Sequence, residues 1–217
     1  MDIFIINASP KGAENNSAYF LHEIKTLLDS RYNVSEIRIK KPGLSKEVIQ
    51  SVSSWDTLII AFPLYVDSLP SHLTNVLTEL NSALSNMELQ QVNHKPIKVF
   101  GVVNCGFYEG KQTHIALQIL ENWCKKTGFE WCQGIGIGAG EMFGQLNKIP
   151  LGHGPKKSLG RALKTLVKNI TEGKKDDNIY VSPNFPRGLF KLMADIHWNG
   201  IAKSLGIKKK ELRKNTI

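Results

Sequence analysis

At 217 residues the chain has the length of one sizeable domain, with 41% apolar and 22% charged residues, values that exclude a disordered or fibrous protein. Its net charge is +9, but the residues from Arg187 onward hold eight Lys/Arg against two Asp/Glu, so +6 of that charge lies in the tail and the body is nearly neutral. Continuous apolar runs such as residues 58–62 are too short to cross a bilayer, and the start lacks the basic n-region of an export signal, so a soluble, cytoplasmic protein is expected. Cys105, Cys124 and Cys132 are odd in number and lack CxxC spacing, which argues against disulfides, a zinc site or a cysteine-ligated cluster.

In chain order, Ile3, Phe4, Ile5 and Ile6 read as a buried strand. A polar turn from Asn7 to Gly12 follows, and then a helical stripe of Phe20, Leu21, Ile24, Leu27 and Leu28. Residues 34–39 read as an edge strand, 47–52 as a short helix, and 58–62 as a strand apolar on both faces, as parallel sheets require. Leu69, Leu73, Val76, Leu77, Leu80 and Leu84 mark the next helix, 97–103 a strand, and Ile115, Ile119, Leu120 and Trp123 another helix. Residues 129–137 supply a fifth strand, and Leu159, Leu163, Leu166, Val167 and Ile170 a further helix. Repeated strand and helix units with right-handed crossovers give an α/β fold, a doubly wound parallel sheet of five strands in the order 2-1-3-4-5.

This core is expected over residues 1–173, with 174–217 as a helical extension packed on the same domain or on a partner subunit. The terminal helix, residues 187–205, carries Leu189, Phe190, Met193, Ile196, Trp198 and Ile201. Packing of that apolar stripe is preferred to contact with an acidic membrane surface through Trp198, Phe190, Lys191, Lys203 and Lys208 to Lys210. No motif supports nucleic-acid binding.

In such sheets ligands bind beyond the carboxyl ends of the strands where the winding reverses, so the loops after strands one, three and four are the place to look. The first loop, Ser9-Pro10-Lys11-Gly12-Ala13-Glu14-Asn15-Asn16-Ser17-Ala18, offers hydroxyls, amides, a lysine and a helix start, which together suit an anion such as a phosphate. The plainer alternative is that Asn16 or Ser17 only caps the helix. The second loop, Pro63-Leu64-Tyr65-Val66-Asp67-Ser68-Leu69-Pro70, is apolar and aromatic where a loop is normally polar, as the edge of a flat ligand would demand. The third, Asn104-Cys105-Gly106-Phe107-Tyr108-Glu109-Gly110, combines glycines that allow close approach with aromatics. The run Gly134-Ile135-Gly136-Ile137-Gly138-Ala139-Gly140 follows the last strand and lacks the acidic residue that a dinucleotide fingerprint needs, so it is read as a tight loop or a subunit contact.

These three loops resemble those of the flavodoxin-like NAD(P)H-dependent oxidoreductases, the FMN reductases and related quinone reductases, over roughly residues 1–145. The resemblance implies that Ser9, Lys11, Asn16, Ser17 and Ala18 hold the FMN phosphate, and that Pro63, Leu64, Tyr65, Val66, Asn104, Cys105, Gly106 and Phe107 surround the isoalloxazine. Lys11 stands where arginine is frequent, and a lysine does not supply a bidentate fork. The implied reaction takes hydride from NAD(P)H to the flavin and then to a small-molecule acceptor, by ping-pong kinetics in a homodimer, with no catalytic side chain and no metal. Amides around Gly106 and Phe107 are the expected donors to the reduced ring. A carrier flavodoxin is the alternative, disfavoured by the basic charge, and a cofactor-free interaction module is the second. Cys105 is read as a small loop residue and His114 as solvent-facing.

Overall fold

The computed structural model describes every residue except 13, 87–94, 147, 208–210 and 212–217. Strands β1 (Asp2–Asn7), β2 (Asn33–Arg38), β3 (Thr57–Pro63), β4 (Lys98–Asn104), β5 (Glu130–Ile137) and β6 (Ile179–Val181) form one sheet in the order β2-β1-β3-β4-β5-β6. Every pairing is parallel. The expected order therefore holds, with a sixth strand added at the β5 edge. That strand has only three residues, too few for an alternating pattern to show in the sequence. It carries the compact unit past the expected boundary at 173, to Pro183.

Helices α1 (Asn16–Leu27) and α6 (Lys157–Glu172) cover one face of the sheet, where Phe20, Leu21, Ile24, Leu163, Leu166 and Ile170 meet Ile3, Ile5, Ile59 and Val102. On the other face lie α2 (Lys46–Ser51), α3 (Ser71–Asn86) and α4 (His114–Thr127). There Leu73, Val76, Leu77, Leu117, Leu120 and Trp123 pack on Phe4, Ile6, Leu58, Ile60 and Val99. Each such side chain removed from water contributes about 1.5–3 kcal/mol, the main favourable term of the fold.

The stripe expected on α4 is rotated. Ile115 and Ile119 face out, while Ala116, Leu117, Leu120, Trp123 and Cys124 are buried. The reason lies in the strands: Gly101 and Gly134 leave room for the Leu117 and Trp131 side chains, and a Cβ at either glycine would collide with them. The Trp123 indole N–H donates to the Leu77 carbonyl at 2.9 Å, tying α4 to α3.

A short helix, α5 (Gly140–Gln145), follows β5 and was not legible in the sequence. The last helix, α7 (Arg187–Ser204), belongs to a separate unit spanning residues 184–217. Lys208 to Lys210, expected to contribute to a basic surface there, lie outside the described residues.

Candidate functional site

Parallel strands bring the ends of β1, β3 and β4 to one side of the sheet, in register as Asn7 beside Ala61 and Pro63 beside Asn104. The winding reverses at β1, which has β2 on one side and β3 on the other. Each strand's ladder runs a residue or two into its loop. Ala8 N–H donates to the Ala61 carbonyl at 2.8 Å, and Leu64 N–H to the Asn104 carbonyl at 2.8 Å.

In the first loop the helix cap is Asn15, not Asn16 or Ser17: its Oδ1 accepts from Ala18 N–H at 2.9 Å, and its Nδ2 donates to the Gly12 carbonyl at 2.9 Å. That leaves the N–H groups of Lys11, Gly12, Asn16 and Ser17 with no acceptor among the described residues. Two of these donors open α1, at the positive end of its dipole, and two lie in the loop before it, which together are the chemistry of an anion site. Asn7, buried at the end of β1, accepts from Ser9 N–H through Oδ1 at 3.2 Å, while its Nδ2 is buried with no partner among the described residues. An unsatisfied buried donor costs about 1–3 kcal/mol, which an acceptor from outside the chain would recover. Ser9 is itself nearly buried. Lys11 extends to Glu141 at the start of α5, 3.8 Å away, with both side chains more than half exposed. Asn7, His72 and Glu141 were missed by the sequence reading. His72, buried in α3, lies 3.1 Å from the Ala8 carbonyl through Nε2 and braces the loop from below.

The second loop folds back on itself. Tyr65 and Ser68 exchange both backbone hydrogen bonds, at 3.1 and 2.9 Å, across a two-residue turn in which Val66 has φ 47° and Asp67 φ 59°. Hairpin turns of this kind want Asn-Gly at those positions, and a β-branched valine there is strained. Val66 is 96% exposed, so the strain is not compensated by burial. Tyr65 and Phe107, 43% and 56% exposed, add aromatic surface from the second and third loops.

The third loop is fixed from beneath and open above. Gly140 N–H and Ala139 N–H take the carbonyls of Cys105 and Phe107. The N–H groups of Gly106 and Phe107 meet no acceptor among the described residues, and a Cβ at Gly106 would meet nothing within 4 Å. The Cys105 thiol turns into its own loop, 3.9 Å from the Phe107 and Glu109 carbonyls, and burial pushes its pKa up to about 11. The glycine run after β5 has its explanation here: a Cβ at Gly136 would strike Thr113 and Gly110, and one at Gly138 the backbone of Tyr108 and Glu109. It is the tight loop on which the third loop rests. His114, half-buried, lies 3.0 Å from the Lys111 carbonyl through Nδ1.

Asn104 joins the first and third loops. Its Nδ2 donates to Ser17 Oγ at 2.9 Å and to the Phe62 carbonyl at 3.2 Å, and both side chains are buried. The Ser17 hydroxyl is thus held as an acceptor inside the protein, and Ser17 keeps its own O–H and its backbone N–H as donors. A cleft of about 840 Å³ opens at the opposite end of the sheet, lined by Trp55, Asp56, Leu84, Ile97 and Phe129. Its walls include residues on either side of 87–94, which lie outside the described residues.

A doubly wound parallel sheet in this order, with loops gathered at the β1/β3 reversal, is the flavodoxin-like fold. Solved structures share it. An NADH:FMN oxidoreductase in its apo form aligns with a TM-score of 0.57 at 15% identity, over 81% of this chain and 90% of that one. An NADPH-quinone reductase from P. pentosaceus aligns with a TM-score of 0.55 at 16% identity, over 78% and 97%. RosB with a bound 8-demethyl-8-formylriboflavin-5'-phosphate intermediate aligns with a TM-score of 0.57 at 10% identity, over 79% and 78%. No protein-family model matches the chain, and no curated protein matches it in sequence.

Proposed function

We propose that this chain is an FMN-dependent oxidoreductase that takes hydride from NADH or NADPH and delivers it to a small acceptor such as a quinone or a free flavin. The observation that carries the reading is the set of four N–H groups, on Lys11, Gly12, Asn16 and Ser17, that meet no acceptor among the described residues, together with the Asn7 amide, likewise without a partner among them. The fold supports it, because structures with this architecture include an NADH:FMN oxidoreductase and an NADPH-quinone reductase.

The donor set fits a phosphomonoester. Lys11, Gly12, Asn16 and Ser17 offer N–H groups to its oxygens, the Lys11 ammonium adds charge, and Ser9 and Ala18 complete the loop. Leu64, Tyr65, Val66 and Phe107 present apolar and aromatic surface beyond it, which a flat heteroaromatic ring would cover. When bound, FMN supplies the hydride and electron chemistry, so no side chain needs to act as nucleophile or general base.

The chain's own tasks are to hold, orient and polarise. The N–H groups of Gly106 and Phe107, which meet no acceptor among the described residues, would stabilise negative charge on a ring edge. Rigidity beneath them comes from Ala139 and Gly140, whose N–H groups fix the loop's carbonyls. Cys105, held protonated and turned inward, takes no redox part. A homodimer in the cytoplasm goes with this reading, a second copy shielding the exposed Tyr65, Val66 and Phe107.

The test is anaerobic addition of NADH or NADPH to the FMN-loaded protein. Bleaching of the flavin absorbance and parallel initial-rate lines support the reading. No bleaching with either nicotinamide, or intersecting lines, contradicts it.

A further inference from the structure

Strand β2 is the edge of the sheet, and its last residue, Arg38, pairs in register with Asn7 at the end of β1. The Ile39 N–H donates to the Asn7 carbonyl at 2.9 Å, which holds the two residues side by side on neighbouring strands, about 4.7–4.9 Å apart in the hydrogen-bonding direction. Strand alternation puts both side chains on the face that α1 covers. On β1, Ile3 and Ile5 pack on Phe20, Leu21 and Ile24 of α1, and Asn7 is next in that series. On β2, Val34 packs on the same cluster and Glu36 accepts from the Lys25 ammonium of α1 at 2.7 Å, and Arg38 is next.

Two sets of uncommitted donors therefore adjoin. Asn7 Nδ2 is buried without a partner, and the exposed Arg38 guanidinium has no hydrogen bond or ion pair among the described residues. An acceptor oxygen that satisfied the Asn7 amide would lie beside the longer Arg38 side chain.

Charge points the same way. A phosphomonoester carries about −1.5 to −2 at pH 7. The first loop cannot balance it, because residues 9–18 hold Lys11 and Glu14 and sum to zero, and Lys11 lies 3.8 Å from a further carboxylate, Glu141. The segment from Arg38 to Lys46, in contrast, holds Arg38, Lys40, Lys41 and Lys46 with no Asp or Glu. Among these the residue beside Asn7 is the arginine, whose planar fork meets a phosphate through two parallel N–H bonds, as a lysine cannot.

We propose that Arg38 is a further binding residue of this site, pairing with the phosphate of FMN from the edge strand and supplying the bidentate cation that the first loop lacks. The proposal rests on the flavin reading and adds to it the source of the charge.

Fluorescence titrations of the full chain with FMN and, separately, with riboflavin test it. Arg38→Gln is expected to lower the FMN affinity at least about tenfold, the loss of a charge-assisted pair, and to leave the riboflavin affinity unchanged because riboflavin has no phosphate. Arg38→Lys should recover part of the loss, keeping the charge without the fork. The FMN affinity of Arg38→Gln should also depend less steeply on salt than that of the wild type. The melting temperature of the ligand-free variants should not change, since Arg38 is exposed and bonds to nothing among the described residues. If Arg38→Gln binds FMN as the wild type does, or loses FMN and riboflavin in parallel, the proposal is overturned while the flavin reading stands. A wild-type chain that binds neither flavin overturns both.

Discussion

Asn104 and Ser17, 87 positions apart in the chain, meet through a 2.9 Å hydrogen bond in which the Asn104 amide donates to the Ser17 hydroxyl. With the second bond to the Phe62 carbonyl, that one amide locks the end of β4 to the end of β3 and to the first turn of α1. This contact ties the start of α1 to the third loop.

Asn104→Ala removes both bonds and leaves the buried Phe62 carbonyl and Ser17 hydroxyl without their donor. A loss of about 2 kcal/mol in stability is expected, within the range for buried groups stripped of a partner. FMN affinity should fall at least about tenfold, because the two halves of the site lose their common brace. Urea melts and flavin-fluorescence titration measure the two effects. A variant with unchanged affinity would show that the loops are positioned by other contacts.

Val66 sits at φ 47° with its side chain almost fully in water. For a residue with a Cβ that conformation costs about 1–2 kcal/mol, whereas glycine adopts it freely but loses about 0.4–1 kcal/mol through the entropy of the unfolded chain. Val66→Gly is therefore expected to stabilise the protein by about 0.5–1 kcal/mol. If the valine supplies apolar surface to the ring, the same variant should bind FMN more weakly, so stability and affinity move in opposite directions.

The three thiols are buried, and desolvation raises Cys105 and Cys132 to about 11 and Cys124 to about 12 from an ordinary 9.0. In the unfolded chain they ionise from about pH 9, while in the folded chain they stay protonated until about pH 11–12. Their contribution to stability is complete below pH 9 and is lost as the pH climbs through the folded values. A thiol reagent at about pH 8 should find no reactive cysteine in the native protein and three after denaturation. Rapid labelling of the native protein would contradict the burial.

Lys156, at the start of α6, is 2% exposed, and no carboxylate among the described residues lies within 4 Å of its ammonium. Burial pushes its pKa down, with the charge of Glu23 acting in the opposite direction, and the Tyr19 ring lies 5.2 Å from Nζ. A depressed lysine pKa means that the folded state holds the proton less tightly than the unfolded one. The charged form thus weakens the fold below the folded pKa, and stability rises as pH approaches the ordinary value. Lys156→Met removes the penalty and should raise the unfolding midpoint near pH 7. A lower unfolding midpoint would mean that the cation over Tyr19 is a net stabiliser.

Much of this was legible in the sequence, and the parts that were not have physical causes. A continuous apolar run such as β3 and a helix stripe such as that of α6 are local signals, and their alternation along the chain pointed to the doubly wound sheet. β6 was too short to carry a period, and on α4 Leu120 and Trp123 are buried as expected but Ile115 and Ile119 are not, because the space the helix fills is made by Gly101 and Gly134 on other strands. The loops stood out by residue type, but their wiring did not. That Asn15 rather than its neighbours caps α1, and that His72 and Asn104 brace the loops from α3 and β4, are tertiary facts with no local signature.

Equilibrium titration of the purified chain with FMN, followed by quenching of flavin fluorescence, tests the central claim most directly. The account predicts saturation at one FMN per chain, with riboflavin, which lacks the phosphate, bound at least about tenfold more weakly because it cannot engage the charged and N–H donors of the first loop. FMN and riboflavin bound equally, or neither bound at all, would contradict it.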